Sequence, residues 1–550
     1  MIKPIKSLSL EVVMKKTLEI VQQVLNGKND GMSPDMKRRD VMKLAGLAIT
    51  PFMPKISMAS SGLNITHEAT DKINRGPVKG TVEELAELSV SNAAMAIRNG
   101  DISSELYTTA LLKKSRINAD LNAFITIDEV AVLESARAAD KARASGVIAP
   151  LLGVPIGIKD SYLTKGLRTT FGLSNLKGFI PNKDAGSVAA IKDAGGIIFG
   201  KNNLVEMSYG LTGNNNTFGQ VKNPRGKNHV TGGSSSGSGA SVAARVVPAS
   251  LGGDTIGSIR VPASLCGVVG FKPTTGRWPR DGVAPISHTL DTTGVFARNV
   301  DDCILIDQVV TGTQFPQKLN QNSLKGVKLA YAPKQYLDLV DPEVETNFKE
   351  TIHRLKDAGA EVVEIDLGKD FISIANSATM NIFFRETKDA VEGFLHNQNV
   401  PIKFDDLYNG LKPDLKKVWG NFVLPKGAGY ISQETYKKDL NVVRLEIKRR
   451  FDEAFAKIGA QAIIFPTTPC TAPLIEHQDN FLLDGKEVSY MVLANNTIPT
   501  SAAGLPGISI PIGLSSNSLP IGLEIDGPYG QDISLLIIAR KIEAVVGALS

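Results

Sequence analysis

Gly232-Gly233-Ser234-Ser235-Ser236-Gly237-Ser238 leads through Gly239 into Ala240-Ser241-Val242-Ala243-Ala244, so a serine-lined loop runs into a helix of small residues. A flexible Gly/Ser tether has no such continuation. A row of hydroxyls delivered onto a tightly packed helix is the geometry of a site. Ser258 stands twenty-four residues beyond Ser234, in Gly257-Ser258-Ile259-Arg260, and Lys159 stands 75 residues before it, in Gly157-Ile158-Lys159-Asp160.

The three residues make chemical sense together. A serine hydroxyl is a weak nucleophile at neutral pH and needs a group to take its proton. A lysine does this only in its neutral form, which requires burial or a cationic neighbour to lower its pKa. Lys159 follows Leu151-Leu152-Gly153-Val154-Pro155-Ile156-Gly157-Ile158, an apolar run that reads as a buried strand and desolvates the ammonium. Taken alone, Lys159 reads as a strand-end lysine paired with Asp160, and only its company with two serine motifs reverses that reading. Near Ser258, the glycines Gly252, Gly253 and Gly257 permit close backbone approach. Successive N–H groups are then free to converge on one oxygen as an oxyanion hole.

This constellation resembles the amidase signature family, serine hydrolases that cleave amides with a Ser-Ser-Lys triad, and the resemblance runs from about Thr81 to the C-terminus. It implies an α/β fold in which a large mixed β-sheet is covered by helices on both sides. It implies Ser258 as the nucleophile, Ser234 as a proton relay carrying a cis peptide bond, and Lys159 as the base. It implies the backbone amides of Thr255, Ile256, Gly257 and Ser258 as oxyanion donors, with Ser235, Asp254 and Arg260 standing behind the triad. The chain departs from the family pattern at Ile256, where a second glycine is usual, and at Gly253, where Thr or Ser is usual. Backbone donors survive a side-chain change, so these departures bear on the acyl pocket, which Ile256 is expected to narrow.

Other readings of the serines remain open at this point. Gly233-Ser234-Ser235-Ser236-Gly237 fits the G-x-S-x-G nucleophile elbow, with Ser235 as nucleophile and a downstream Asp and His to complete it. His288, His353, His396 and His477 are available, but none of the six histidines sits in a recognisable motif. A phosphate-binding P-loop fails because no Lys-Ser/Thr follows the glycines. An exported amidase-like fold serving only as a binding protein is the non-enzyme alternative, against which the complete triad argues.

Strand candidates recur at Ile197–Phe199, Val327–Tyr331, Val362–Ile365 and Ala462–Phe465, with helical patterns between them. One helix is expected from Asp341, which would cap, through Pro342 at the first helical position, to Ala358. Thr81-Val82-Glu83-Glu84 is a capping box that opens another. This alternation predicts a mixed sheet covered by helices. Length suits either several domains or one large loop-rich unit, and the reading adopted is an extension over 1–59 followed by a single catalytic domain over 60–550. Cys266, Cys303 and Cys470 are too few for a disulfide framework, and Cys266 reads as a core filler. No His/Cys/carboxylate cluster has metal-ligand spacing, so neither metal nor other cofactor is expected.

The formal charge of +5 belongs to the N-terminus: residues 1–59 hold ten Lys/Arg and five Asp/Glu, which leaves 51 of each in the remainder. No basic patch for nucleic acid is left. Lys37-Arg38-Arg39-Asp40-Val41-Met42-Lys43 resembles a twin-arginine export motif. Leu44–Met53 is apolar but shorter than the ~20 residues of a membrane span, and Ser57-Met58-Ala59 offers a small-residue cleavage site. Export to the periplasm or beyond is therefore expected, with a cytoplasmic enzyme as the alternative, and Met36 is a candidate start.

For substrate, Leu519–Pro528 and Ile286–Thr292 are similar to mandelamide and indoleacetamide hydrolases within the family. A small aryl or apolar primary amide is the expected partner, with a C-terminal peptide amide as the alternative and no membrane span in the mature form. A homodimer is compatible with the sequence. Phe465–Pro469 and Asn495–Thr497 are expected either at the pocket mouth or in loop packing, which explains them equally well, and residues 371–440 are expected to shape specificity.

Overall fold

A computed structural model describes residues 80–316 and 323–547, all within one compact unit. The extension over 1–59, its export motif and the candidate start at Met36 lie outside the described residues. Apolar runs of four to eight residues account for the architecture. Pro155–Lys159 is buried at every position and Ala249–Asp254 at nearly every one. Because successive side chains of a strand point to opposite faces, such runs require cover on both sides of the sheet.

The sheet has 11 strands. From one edge to the other these are Phe124–Thr126, Ile197–Asn202, Pro155–Lys159, Ala249–Asp254, Thr292–Ala297, Val269–Lys272, Gly507–Leu514, Pro520–Asp526, Ala462–Pro466, Lys328–Tyr331 and Glu361–Glu364. Pro155–Lys159 runs parallel to both of its neighbours, with Gly157 beside Ser250 and Ile158 beside Leu251. Ala462–Pro466, Lys328–Tyr331 and Glu361–Glu364 form a second parallel group. Antiparallel pairs join the two groups through the middle of the sheet. The sheet is therefore mixed, as the alternation of strand and helix patterns predicts, and all four strand candidates are strands.

The helices start where their capping residues dictate. Asp341 accepts a hydrogen bond from the Glu343 N–H at 2.9 Å, with Pro342 opening the helix Pro342–Asp357. Thr81 and Glu84 cap reciprocally, as a capping box should. Cys266 sits fully buried in the main apolar core, the place read for it from sequence. A second apolar cluster gathers Phe171, Tyr209, Ile256, Phe383, Phe394 and Trp419. The segment 371–440 supplies much of it through the helix Phe371–Asn397 and the shorter Pro413–Val418. No described helix is long and apolar enough to cross a membrane.

Candidate active site

Lys159 is the last residue of an interior strand, third from one edge of the sheet, and only 1% exposed. Its Nζ lies 2.8 Å from Ser234 Oγ. Asp160, the next residue, is directed elsewhere: its carboxylate accepts from the Thr170 N–H at 2.9 Å and faces Lys201 Nζ at 3.6 Å. The strand pleat sends consecutive side chains to opposite faces, so a Lys159–Asp160 pair does not form. Burial drives the Lys159 pKa down to about 7, against the pull of the Asp254 and Asp291 carboxylates, which raise it.

The serine loop is held in place by its own backbone. The Gly233–Ser234 peptide bond is cis. The Ser234 carbonyl accepts from the Val205 N–H at 3.2 Å, and the Ser235 N–H donates to the Ser258 carbonyl at 3.3 Å. This last bond ties the two serine segments together. Gly237 has no room for a side chain, because the backbones of Ala123 and Asn203 close on it where the helix Ser236–Ala243 begins. Ser235 is fully buried; its Oγ donates to the Gly253 carbonyl at 3.0 Å and accepts from the Gly253 N–H at 3.2 Å. Its hydroxyl is committed to backbone, and no described histidine bonds to it, so the elbow reading finds no geometry here.

Ser258 closes the turn between the strand Ala249–Asp254 and the helix Arg260–Cys266. Asp254 shapes this turn by accepting the N–H groups of Gly257 at 2.8 Å and Ile259 at 3.1 Å. Arg260, fully buried, donates from Nε and Nη2 to the same carboxylate, each at 3.1 Å, and from Nη1 to Glu524 at 3.2 Å. Burial alone would raise the Asp254 pKa, but the Arg260 guanidinium, with help from Lys272 and the Ile259 N–H, offsets it and holds the carboxyl below its ordinary value. Of the four amides expected to face an oxyanion, that of Gly257 is therefore occupied by Asp254. Those of Thr255, Ile256 and Ser258 have no acceptor among the described residues. Gly257 itself has φ +140°, and a Cβ there would collide with Thr497 Oγ1.

Two cavities meet at this turn. One of about 330 Å³ is lined by Lys159, Ser234, Asp254, Thr255 and Asp291, among others. A second of about 160 Å³ is lined by Ser258, Ile256, the aromatic Tyr209, Phe383 and Phe384, and the charged Lys412, Asp414 and Asp479, among others. Ser208 belongs to both. Ser208 and Met207 are consecutive non-glycine residues with left-handed backbone, at φ 62° and 48°, a cost that structures tend to concentrate at functional sites.

Several participants carry no sequence signal of their own. Asp291 accepts from Thr255 Oγ1 at 2.8 Å and from the Ile286 and Ser287 N–H groups at 2.8 and 3.0 Å, so it fixes one member of the amide row. Glu386, in the helix Phe371–Asn397, accepts from Thr289 N–H at 2.9 Å and from Tyr436 Oη at 2.7 Å. Its distance in sequence from the loop it braces hides it, whereas Asp291 stands within the run Ile286–Thr292. Of the two readings of Phe465–Pro469 and Asn495–Thr497, packing holds: they lie against the turn and line neither cavity. Thr497 donates from Oγ1 to the Ile256 carbonyl at 2.6 Å, and Asn496 donates to the Pro466 carbonyl at 2.8 Å. Both segments are largely buried there by packing. Among the described residues no cluster of His, Cys, Asp or Glu is arranged to hold a metal ion.

Residues 105–536 match the family described as Amidase. The chain is 33% identical to the mandelamide hydrolase of Pseudomonas putida, over 84% of this chain and 92% of that protein. It is 30% identical to the indoleacetamide hydrolase of Allorhizobium ampelinum, over 83% and 98% respectively. The solved structure of a peptide amidase from Stenotrophomonas maltophilia superposes with a TM-score of 0.70 at 27% identity, covering 84% of this chain and 98% of that one.

Proposed function

Because the chain belongs to the amidase signature family, and so has that family's fold and is a hydrolase of carbon–nitrogen bonds in linear amides, we propose that it hydrolyses small aryl or apolar primary amides through an acyl-enzyme on Ser258. The observation that carries the reading is a fully buried lysine, poised near neutrality, 2.8 Å from Ser234 Oγ. Neutral Lys159 takes the Ser234 hydroxyl proton as Ser234 takes that of Ser258, and Ser258 Oγ bonds to the amide carbon. The developing oxyanion is received by the amides of Thr255, Ile256 and Ser258, and one such donor typically contributes about 10²–10³ in rate. Collapse returns a proton through Ser234 to the nitrogen, which leaves as ammonia. Water, deprotonated by the same relay, then attacks the ester, and Ser258 regains its proton as the carboxylate leaves.

The aromatic rings of Tyr209, Phe383 and Phe384 in the cavity that holds Ser258 support an aryl acyl group, and Ile256 borders the same space, with the charged Lys412, Asp414 and Asp479 also on its wall. The mandelamide and indoleacetamide hydrolase relatives agree with that class. A peptide amidase is the second reading, favoured by the similarity to the solved peptide amidase. The export reading of the N-terminus complements both and places the mature enzyme outside the cytoplasm. Labelling with a fluorophosphonate, in wild type and Ser258→Ala, tests the core of the proposal. Wild type is expected to label and turn over phenylacetamide, and Ser258→Ala to do neither. Unchanged labelling in Ser258→Ala, with loss in Ser235→Ala, would restore the elbow; no labelling of wild type at all would indicate a binding protein. Comparing kcat/KM for phenylacetamide, mandelamide and a C-terminal peptide amide separates the two substrate readings.

A further inference from the structure

The cavity that holds Ser258 changes character between its buried and its open end. Ser258 and Ile256 are buried, and the rings of Tyr209 and Phe383 that share their cavity are buried too. Lys412 is half-buried on the same wall, while Asp414 and Asp479 are exposed, which puts the two carboxylates at the opening. Among the described residues, none of these three charged side chains has a hydrogen bond or an ion pair. Their charges are left for whatever enters.

The backbone holds Lys412 in position. Its N–H donates at 3.0 Å to Glu206 Oε2, and the other oxygen of that carboxylate accepts from the Asn216 N–H at 3.1 Å. Glu206 is itself buried. It immediately precedes the left-handed pair Met207 and Ser208, and Ser208 lines the same cavity. Pro413 follows Lys412, fixes the next φ and opens the helix Pro413–Val418, whose Leu415 and Val418 complete that side of the wall. Lys412 is thus presented from a chain segment anchored at both of its neighbours.

We infer that Lys412 is a specificity-determining residue, and that the preferred acyl group is an arylacetyl group with a hydroxyl at the far end of its ring. This rests on the acyl-enzyme reading above and names the substrate class within it. A ring whose carbonyl lies at Ser258 directs its 4-position toward the opening, where Lys412, Asp414 and Asp479 stand. One hydroxyl accepts from the ammonium and donates to a carboxylate with the same oxygen. A methyl group there would withdraw water from the half-buried ammonium and give nothing back. A carboxylate substituent would meet two like charges, and an ammonium substituent would meet Lys412.

The probes are phenylacetamides carrying 4-hydroxy, 4-methyl, 4-carboxy or 4-aminomethyl groups, assayed with the full chain for release of ammonia beside phenylacetamide itself. A methylene separates ring from carbonyl, so the substituent alters binding far more than intrinsic reactivity. The 4-hydroxy amide is expected to exceed the 4-methyl amide in kcat/KM by about tenfold or more, the scale of one hydrogen bond to a charged group, and to exceed both charged amides. In Lys412→Met the ratio of 4-hydroxy to 4-methyl amide is expected to fall by about tenfold. A wild-type ratio near one, or a ratio unmoved by Lys412→Met, would overturn the inference and leave the acyl-enzyme reading standing. So would a 4-carboxy or 4-aminomethyl amide cleaved faster than the 4-hydroxy amide. Cleavage of none of the amides, phenylacetamide included, would overturn both.

Discussion

Replacing Lys159 with Met removes the one group whose protonation state sets the proposed chemistry, and its effect can be worked out in advance. The native pKa of about 7 against an ordinary 10.5 corresponds to about 5 kcal/mol disfavouring the protonated form in place. Half of the enzyme then carries neutral Lys159 at pH 7, about a tenth at pH 6 and about a hundredth at pH 5. For wild type, kcat/KM on phenylacetamide should climb about tenfold per pH unit up to pH 7 and level off above it. Lys159→Met should lose most activity, and any residual rate should lack the break near pH 7. Stability supplies an independent reading. The folded pKa is depressed, so between about pH 7 and 10.5 the unfolded chain binds a proton that the native chain does not, and wild-type stability rises with pH across that window. Lys201 and Lys272, each held down to about 8 by burial, act in the same direction, so the difference between wild type and Lys159→Met isolates one residue. Urea unfolding at pH 6, 7, 8 and 9 should show the advantage of Lys159→Met shrinking as pH rises. A kcat/KM flat from pH 5 to 8, together with a pH-independent stability difference, would refute the idea that a buried lysine is the base.

Arg260→Met leaves Asp254 buried beside the nucleophile turn without its guanidinium, and breaking a buried pair costs about 3–5 kcal/mol; a denaturant-derived loss below about 1 kcal/mol would contradict the bracing role given to it. Gly257→Ala forces a side chain onto a φ of +140° and against Thr497, so activity should collapse while soluble protein is still recovered, measured as kcat per mole of folded protein. Ile256→Gly enlarges the smaller cavity beside Ser258, and kcat/KM for amides branched next to the carbonyl should rise relative to phenylacetamide by about 10-fold or more, within the 1–3 kcal/mol such pockets discriminate; an unchanged ratio would mean that Ile256 does not limit the acyl group.

The chemistry of this protein was readable where it is local. Glycines beside Ser234 and Ser258, a lysine at the end of an apolar run, and a cap at Asp341 each act through their immediate neighbours, so short stretches of chain reveal them. The tertiary structure alone decided which partner each group takes. Lys159 stands beside Ser234 and not Asp160 because the strand pleat separates adjacent side chains. Gly257 gives its N–H to Asp254, an intrusion of one carboxylate into the amide row that no spacing foretells. Asn495–Thr497 backs the turn through the Thr497 hydroxyl on the Ile256 carbonyl and ties to Phe465–Pro469 through Asn496 on the Pro466 carbonyl, pairings between segments remote in sequence. Asp291 and Glu386 brace the site across 36 and 97 residues of sequence. The division into two cavities belongs to this second kind of information. The helix Phe371–Asn397 lines both cavities, with Phe394 on the larger and Phe383 on the smaller, and close packing of distant segments leaves no periodic trace in either of them.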